Sequence, residues 1–383
     1  MPWKARGVME QRIEFVIRAC QGREKLSTLC REYGVSRPTG YLWVNRYRAA
    51  GSINGLAELS RRPRRTPTRT PEGIEARVVA LRDRWGWGAK KLAVLLKREG
   101  ITLAVRTIHR ILKRYERVRK EASFSPALRR FERAQPNELW QCDFKGEYGT
   151  DSGFCYPFSL LDDHSRYAVG LFALPATSGE RVWSCFQRTF ERYGVPEAVL
   201  CDHGSPWWST HSEHGLTQVS VALIKQGVRL HYSGVGHPQT QGKVERFHRT
   251  LKDAIRHQGQ PQGFREWSSL LALIRHEYNH VRPHEALAMM TPAQRYQPSP
   301  RPYLPHPPEW VYPEGAQVAQ INSAGNMNWR GAQYFVSHAL EGERVQVQEV
   351  GETLIVNYRH MYIREISTLT GRSTAVLLPV SPA

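Results

Sequence analysis

The chain has 383 residues, 40% of them hydrophobic, which is enough apolar material for roughly two to four domains. Its formal net charge of +19 is unevenly placed: residues 1–135 hold 32 Lys and Arg against 12 Asp and Glu, and the remainder holds 22 against 23. A basic front third on a near-neutral body points to a polyanion, nucleic acid ahead of a membrane surface. No apolar run reaches the roughly 18 residues of a spanning helix and no signal peptide opens the chain, so no membrane partner is expected. The six cysteines are scattered with no Cys-x-x-Cys pair, which fits reduced thiols and excludes a zinc-finger module.

In chain order, residues 7–20 read as a first helix, and residues 24–51 as helix, turn and helix. Leu26, Leu29 and Cys30 form the apolar stripe, Gly34 supplies the turn, and Ser36 caps a helix running to about Arg48. That helix turns Arg37, Tyr41, Asn45 and Arg46 outward, a surface suited to a major groove, although a generic small bundle has the same pattern. The Pro- and Arg-rich stretch 59–73 cannot pack a core and reads as a linker. A second helical unit, 74–120, repeats the plan around Gly100: Leu92, Leu95 and Leu96 face Val105, Ile108, Ile111 and Leu112, while Arg106, Arg110 and Lys113 are left for phosphate. Residues 121–136 form a second linker.

After Asn137 the pattern changes to three strands, helix, strand, helix, strand and helices, an α/β order filling 137–300. Pro157 suggests an edge or a bulge in its strand. A Pro-rich segment, 301–314, then leads to alternating short strands in 315–383, read as a small β-barrel or sheet.

Three carboxylates carry the chemistry. Asp143 lies in the middle of a strand between apolar neighbours, costly unless paired or bound to a metal. Asp202 ends another strand, where α/β folds place their sites. Glu245 is the only acid in "GKVERFHRTLK", residues 242–252, and shares a helical face with Arg249 and Lys252. Two strand acids and one helix acid can meet around hard cations, and two Mg²⁺ ions, with Mn²⁺ able to replace them, suit an in-line phosphoryl transfer. The bland alternative for Glu245 is a salt-bridged surface helix. For Asp162 and Asp163, "DDHS" is good turn chemistry, and a structural turn is the preferred reading. The histidines His203, His211, His214, His231 and His237 fit no zinc spacing.

"WQCDF", "VLCDHG", "HPQTQGKVERFHRTLK" and "YNHVRPHEAL" together resemble the catalytic core of DDE-type bacterial insertion-sequence transposases, related to retroviral integrases. The resemblance covers about residues 137–300. It implies an RNase H-like fold and a triad of Asp143, Asp202 and Glu245 that binds the metals and catalyses. It also implies that Gln239, Lys243, Arg246, Arg249 and Lys252 lie near DNA, with residues 237–242 as the loop before the catalytic helix. The 42 residues between Asp202 and Glu245 exceed the family's usual spacing, and the surplus falls within 205–220. The expected protein is therefore multidomain: all-α helix-turn-helix modules, an RNase H-like core and a small β domain. It would be a transposase in the cytoplasm of a bacterium, associated with the nucleoid, acting on double-stranded terminal repeats and target DNA as at least a homodimer. Two rivals share the sequence: a helix-turn-helix regulator on a degenerate core, and a simple RNase H-like nuclease.

Overall fold

The computed structural model describes residues 7–59, 69–118, 132–209, 215–233 and 242–376. These belong to two compact units, Met1–Pro71 and Glu72–Ala383.

In the first unit, helices α1 (Val8–Gln21), α2 (Leu26–Glu32) and α3 (Arg37–Ala50) enclose Phe15, Val16, Leu29, Cys30, Val44 and Leu56. Gly34 turns the chain between α2 and α3 at φ +65°, a conformation only glycine adopts without strain. The Ser36 hydroxyl caps α3 by accepting the Thr39 N–H at 3.3 Å. Most of the expected linker 59–73 falls outside the described residues.

The second unit begins with α4 (Glu72–Trp85), α5 (Ala89–Arg98) and α6 (Val105–Arg114). Leu92, Leu95, Leu96, Ile108, Ile111 and Leu112 close on Val78 and Leu81 of α4. Val105 does not join them and is 42% exposed. It opens α6, ahead of the stretch that α4 and α5 cover. The one buried acid of this bundle, Glu75, is held by Arg114 and by the Tyr115 hydroxyl at 3.2 Å. The second expected linker, 121–136, is described only from residue 132.

The central domain carries β1 (Trp140–Phe144), β2 (Tyr148–Thr150), β3 (Gly153–Asp162), β4 (Ala168–Leu174), α7 (Gly179–Tyr193), β5 (Ala198–Cys201), β6 (Trp208–Ser209), β7 (Gly215–Leu216), α8 (Gln218–Lys225), β8 (Arg229–Tyr232), α9 (Gly242–Gln258) and α10 (Phe264–His276). Its sheet is mixed, in the order β4-β3-β1-β5-β8, with β2 pairing β3 beyond the end of β1. The β4-β3-β1 side is antiparallel, and β1-β5-β8 is parallel. One face packs on α7 through Trp140, Cys142, Phe158 and Leu160. The other packs on α9 and α10 through Cys155, Leu161, Ala168 and Leu171. Pro157 is neither at an edge nor at a bulge. It sits where β1 has ended and β2 has not begun; its carbonyl accepts from the Lys145 N–H at 2.9 Å, and its missing N–H leaves that pair with one bond instead of two.

The C-terminal strands β9 (Val318–Gln320), β12 (Arg344–Val350), β13 (Thr353–Tyr358), β14 (Met361–Ser367) and β15 (Ser373–Ala375) form an antiparallel sheet, and β10 (Asn326–Trp329) and β11 (Ala332–Phe335) form a separate hairpin. Among the described residues this sheet stays open, so the barrel alternative is not met: β9 and β15, three residues each, are its edges and do not pair. Nor is it a detached module. Its core residues Val336, Met361 and Ile363 are continuous with Trp208, Leu216 and Tyr232 of the central domain. Polar ties secure the same seam: Lys225 to Glu343 at 2.6 Å, Arg359 to the Lys225 carbonyl at 3.0 Å, and the Leu230 N–H to the Met361 sulfur at 3.4 Å. The surplus stretch 205–220 thus supplies β6 and β7, part of the wall against which the C-terminal sheet packs. The Pro-rich segment before it also lies on the core, through Arg301 to the carbonyls of Pro196, Gln226 and Gly227.

Candidate active site

Parallel pairing of β1 with β5 sets Trp140 opposite Val199 and Gln141 opposite Leu200. Cys142 and Cys201 follow, both buried, with their sulfurs 3.4 Å apart. The next residue in each case is an acid, Asp143 within β1 and Asp202 just past the end of β5, so the register directs both to the carboxyl end of the parallel strands, where the charge of Asp202 acts on Asp143. Asp202 is steadied by the Gly204 N–H, 3.1 Å from its Oδ1. Glu245 comes from the first turn of α9, which lies on the same sheet through Val244, Phe247, Leu251 and Ile255. Its side chain is exposed, as are those of Arg249 and Lys252 on the same helix.

Both Asp202 and Glu245 act on Asp143. Burial, then the charge of Asp202, and less strongly that of Glu245, push the Asp143 carboxyl up to about 7. Such a site is short of positive charge, and its oxygen-only donor set suits a hard divalent ion. The acids are not gathered at ligating distance: among the described residues, no three His, Cys, Asp or Glu side chains are grouped closely enough to hold one ion.

Two residues near these acids, His248 and Gln141, escaped sequence reading, while Asp163, read as a turn residue, does lie in the turn after β3. His248, one turn after Glu245, points inward, with Nδ1 3.4 Å from Asp143 Oδ2 and Nε2 3.0 Å from Ser159 Oγ. Ser159 is also the residue opposite Asp143 across β1 and β3. Burial, aided by the charge of Lys145, pushes His248 down to about 3, so the ring is neutral. Asp163 and Gln141 are fully buried and bonded to each other, Gln141 Nε2 donating to Asp163 Oδ1 at 2.9 Å. The available signals were positional: Gln141 shares a strand face with Asp143, and His248 lies at i+3 from Glu245. Asp162 behaves as turn chemistry demands, accepting from the Ser165 N–H and hydroxyl and from the Asn137 N–H.

The predicted DNA-contacting residues divide. Arg37, Tyr41 and Asn45 on α3, Arg106, Arg110 and Lys113 on α6, and Arg246, Arg249 and Lys252 on α9 are exposed. Arg46 is turned back, donating to the Ala57 carbonyl at 2.5 Å with its guanidinium 4.7 Å from the Trp43 ring. Lys243 is withdrawn: its ammonium lies 2.5 Å from Asp163 Oδ2 and 3.0 Å from the Asp163 carbonyl. Burial there pulls it down to about 8, against the pull of Asp163. Gln239 and the loop before α9 lie outside the described residues, as do His211, His214 and His237.

Comparison with known proteins concerns the domains that carry these residues. Integrase core domain families match residues 133–238 and 226–292, a helix-turn-helix domain family matches 11–64, and a homeodomain-like domain family matches 39–112. An uncharacterized 31.7 kDa protein of insertion element IS407 from Burkholderia multivorans is 27% identical over 241 residues, which cover 60% of this chain and 82% of that protein. The transposase for transposon Tn552 from Staphylococcus aureus is 24% identical over 283 residues; the match takes in 61% of this chain and only about half, 53%, of that protein. Among solved structures, the HTLV-2 integrase catalytic core domain in complex with magnesium matches at 14% identity and a TM-score of 0.34, covering 42% of this chain and 97% of that one, a likeness too low to argue from. The chain carries an integrase core behind helix-turn-helix domains, and its relatives include a transposon transposase, proteins of bacterial insertion elements and viral Gag-Pol polyproteins.

Proposed function

We propose that the chain is a DDE transposase that cuts DNA at the ends of its element and joins the freed 3′-hydroxyls to target DNA. The observation that carries this reading is the register of β1 and β5, which brings half-buried Asp143 toward Asp202, with Glu245 near enough to act on Asp143 as well. On an RNase H-like core, these three carboxylates would hold two Mg²⁺ ions. When bound, the ions supply charge neutralisation at the attacking and leaving oxygens of an in-line displacement.

The chain's own groups do the rest. The exposed faces of α3 and α6 read the terminal repeats, because a helix with Arg and Asn side chains fits a major groove. Arg249 and Lys252 hold the phosphates flanking the scissile bond one and two turns beyond Glu245. Water attacks one phosphodiester and releases a 3′-hydroxyl. That hydroxyl then attacks a second phosphodiester, so one P–O bond forms as another breaks and no covalent enzyme intermediate is needed. Joining two ends calls for at least a homodimer. Among the described residues no helix is long and apolar enough to cross a membrane.

The test is cleavage and joining of labelled DNA bearing the inverted repeats that flank the coding region. Wild type acts only with Mg²⁺ or Mn²⁺, and Asp143→Asn, Asp202→Asn and Glu245→Gln each lose activity while still binding. Equal activity in any of the three removes that residue from the triad. One observation favours the regulator, namely that the acids are not gathered at ligating distance. Binding without metal-dependent cleavage by wild type would establish it, and cleavage without joining would establish a simple nuclease.

A further inference from the structure

We infer that Lys243, Asp163 and Gln141 form a brace that sets the first turn of α9, and with it Glu245, against the strand that carries Asp143. The inference rests on the reading above that these two acids work together.

Asp163 lies in the turn after β3 and is fully buried. Three donors converge on its carboxylate: Lys243 Nζ at 2.5 Å and the Arg133 N–H at 2.8 Å on Oδ2, and Gln141 Nε2 at 2.9 Å on Oδ1. The other end of the Gln141 amide, Oε1, accepts the Val244 N–H at 3.1 Å. Chemistry fixes this orientation, because the reverse would set oxygen against carboxylate and NH₂ against N–H. Val244 sits in the first turn of α9, where backbone N–H groups have no partner within the helix. Here one is satisfied from β1.

Both anchors lie beside the acids. Gln141 precedes Asp143 by two residues on the same strand face, and Lys243 and Val244 directly precede Glu245. A lysine at this end is also miscast in isolation, since the helix dipole there disfavours a cation. Asp163 offsets that cost only if α9 begins at this position. A shift of one residue would break the Gln141 bond and the ion pair together. In sequence, Lys243 looks like one more phosphate contact among Arg246, Arg249 and Lys252. The geometry makes it a positioning residue and leaves the phosphates to the others.

The test uses the full chain, with Asp163→Asn, Lys243→Met and Gln141→Met. Amide exchange at Val244 in the metal-free protein reports the brace directly. Mg²⁺ half-saturation, measured by thermal shift, reports the placement of Glu245 without requiring turnover. The brace predicts exchange at Val244 at least about 10-fold faster in Gln141→Met and in at least one of the other two variants. It also predicts half-saturation at several-fold more Mg²⁺, with DNA affinity within about twofold of wild type; Lys243→Arg restores part of the effect. Unchanged exchange overturns the brace. Faster exchange with unchanged Mg²⁺ half-saturation makes it merely structural, which also overturns it. Weaker DNA binding by Lys243→Met, with the salt slope smaller by about one, overturns it in favour of a phosphate contact. Should Asp163→Asn fail to fold, the other two variants decide. A wild type that binds Mg²⁺ but cleaves no DNA would count against the transposase reading and leave the brace standing.

Discussion

Asp143 ties stability to pH through its raised carboxyl. Folded and without metal, it keeps its proton up to about pH 7, whereas in the unfolded chain it loses it near 4. The folded form therefore binds the extra proton between these values, and the stability of the metal-free protein falls as pH rises through that window. Asp143→Asn should flatten this slope and raise metal-free stability at pH 8 by ~1–3 kcal/mol, read from urea melts at pH 5 and pH 8. A wild-type slope no steeper than the variant's would show that Asp143 ionises freely. His248 makes a second residue-scale case. With its ring against both Asp143 and Ser159, His248→Ala should cost about 1–2 kcal/mol for the lost hydrogen bond and lower cleavage roughly 10-fold through a loosened Asp143. His248→Asn should recover part of the rate, and DNA affinity measured alongside should not move.

At the scale of elements, α3 and α6 are the surfaces on which the proposed DNA recognition rests. Each presents its polar residues outward because the apolar ones are consumed by a three-helix core: Val44 in one, and Ile108, Ile111 and Leu112 in the other. Replacing Arg106 and Arg110 by alanine removes two cations that support no core. Stability should change by under about 0.5 kcal/mol. The log–log salt slope of DNA binding should fall by about 2, measured by anisotropy between 50 and 200 mM salt. An unchanged slope would take α6 away from the DNA. The helices and their turns were legible because periodicity, Gly34, Gly100 and the Ser36 cap are local signals. Val105 was misread because its period matched the stripe, and only the packed structure showed that it stays 42% exposed.

For the molecule as a whole, the continuous core between the central sheet and the C-terminal strands matters most. A chain ending at residue 314 would leave Trp208, Leu216, Leu230 and Tyr232 uncovered, of which all but the half-buried Leu216 are buried in the intact protein. At ~1.5–3 kcal/mol for each large apolar side chain returned to water, that loss rivals the whole stability of a domain. The truncated chain should be insoluble or melt without cooperativity; a soluble, cooperatively folding fragment would show that the two parts are independent. The sequence by itself determined which acids to suspect, which helices repeat a helix-turn-helix plan and where the positive charge is concentrated, because spacing and composition are properties of short stretches. Tertiary structure alone decided that Lys243 pairs with Asp163, that His248 stands beside Asp143, and that the C-terminal sheet, among the described residues, stays open and shares the core. Each of those pairings joins residues some 80 or more positions apart, and periodicity can tell which face a side chain takes but not what the fold brings to meet it.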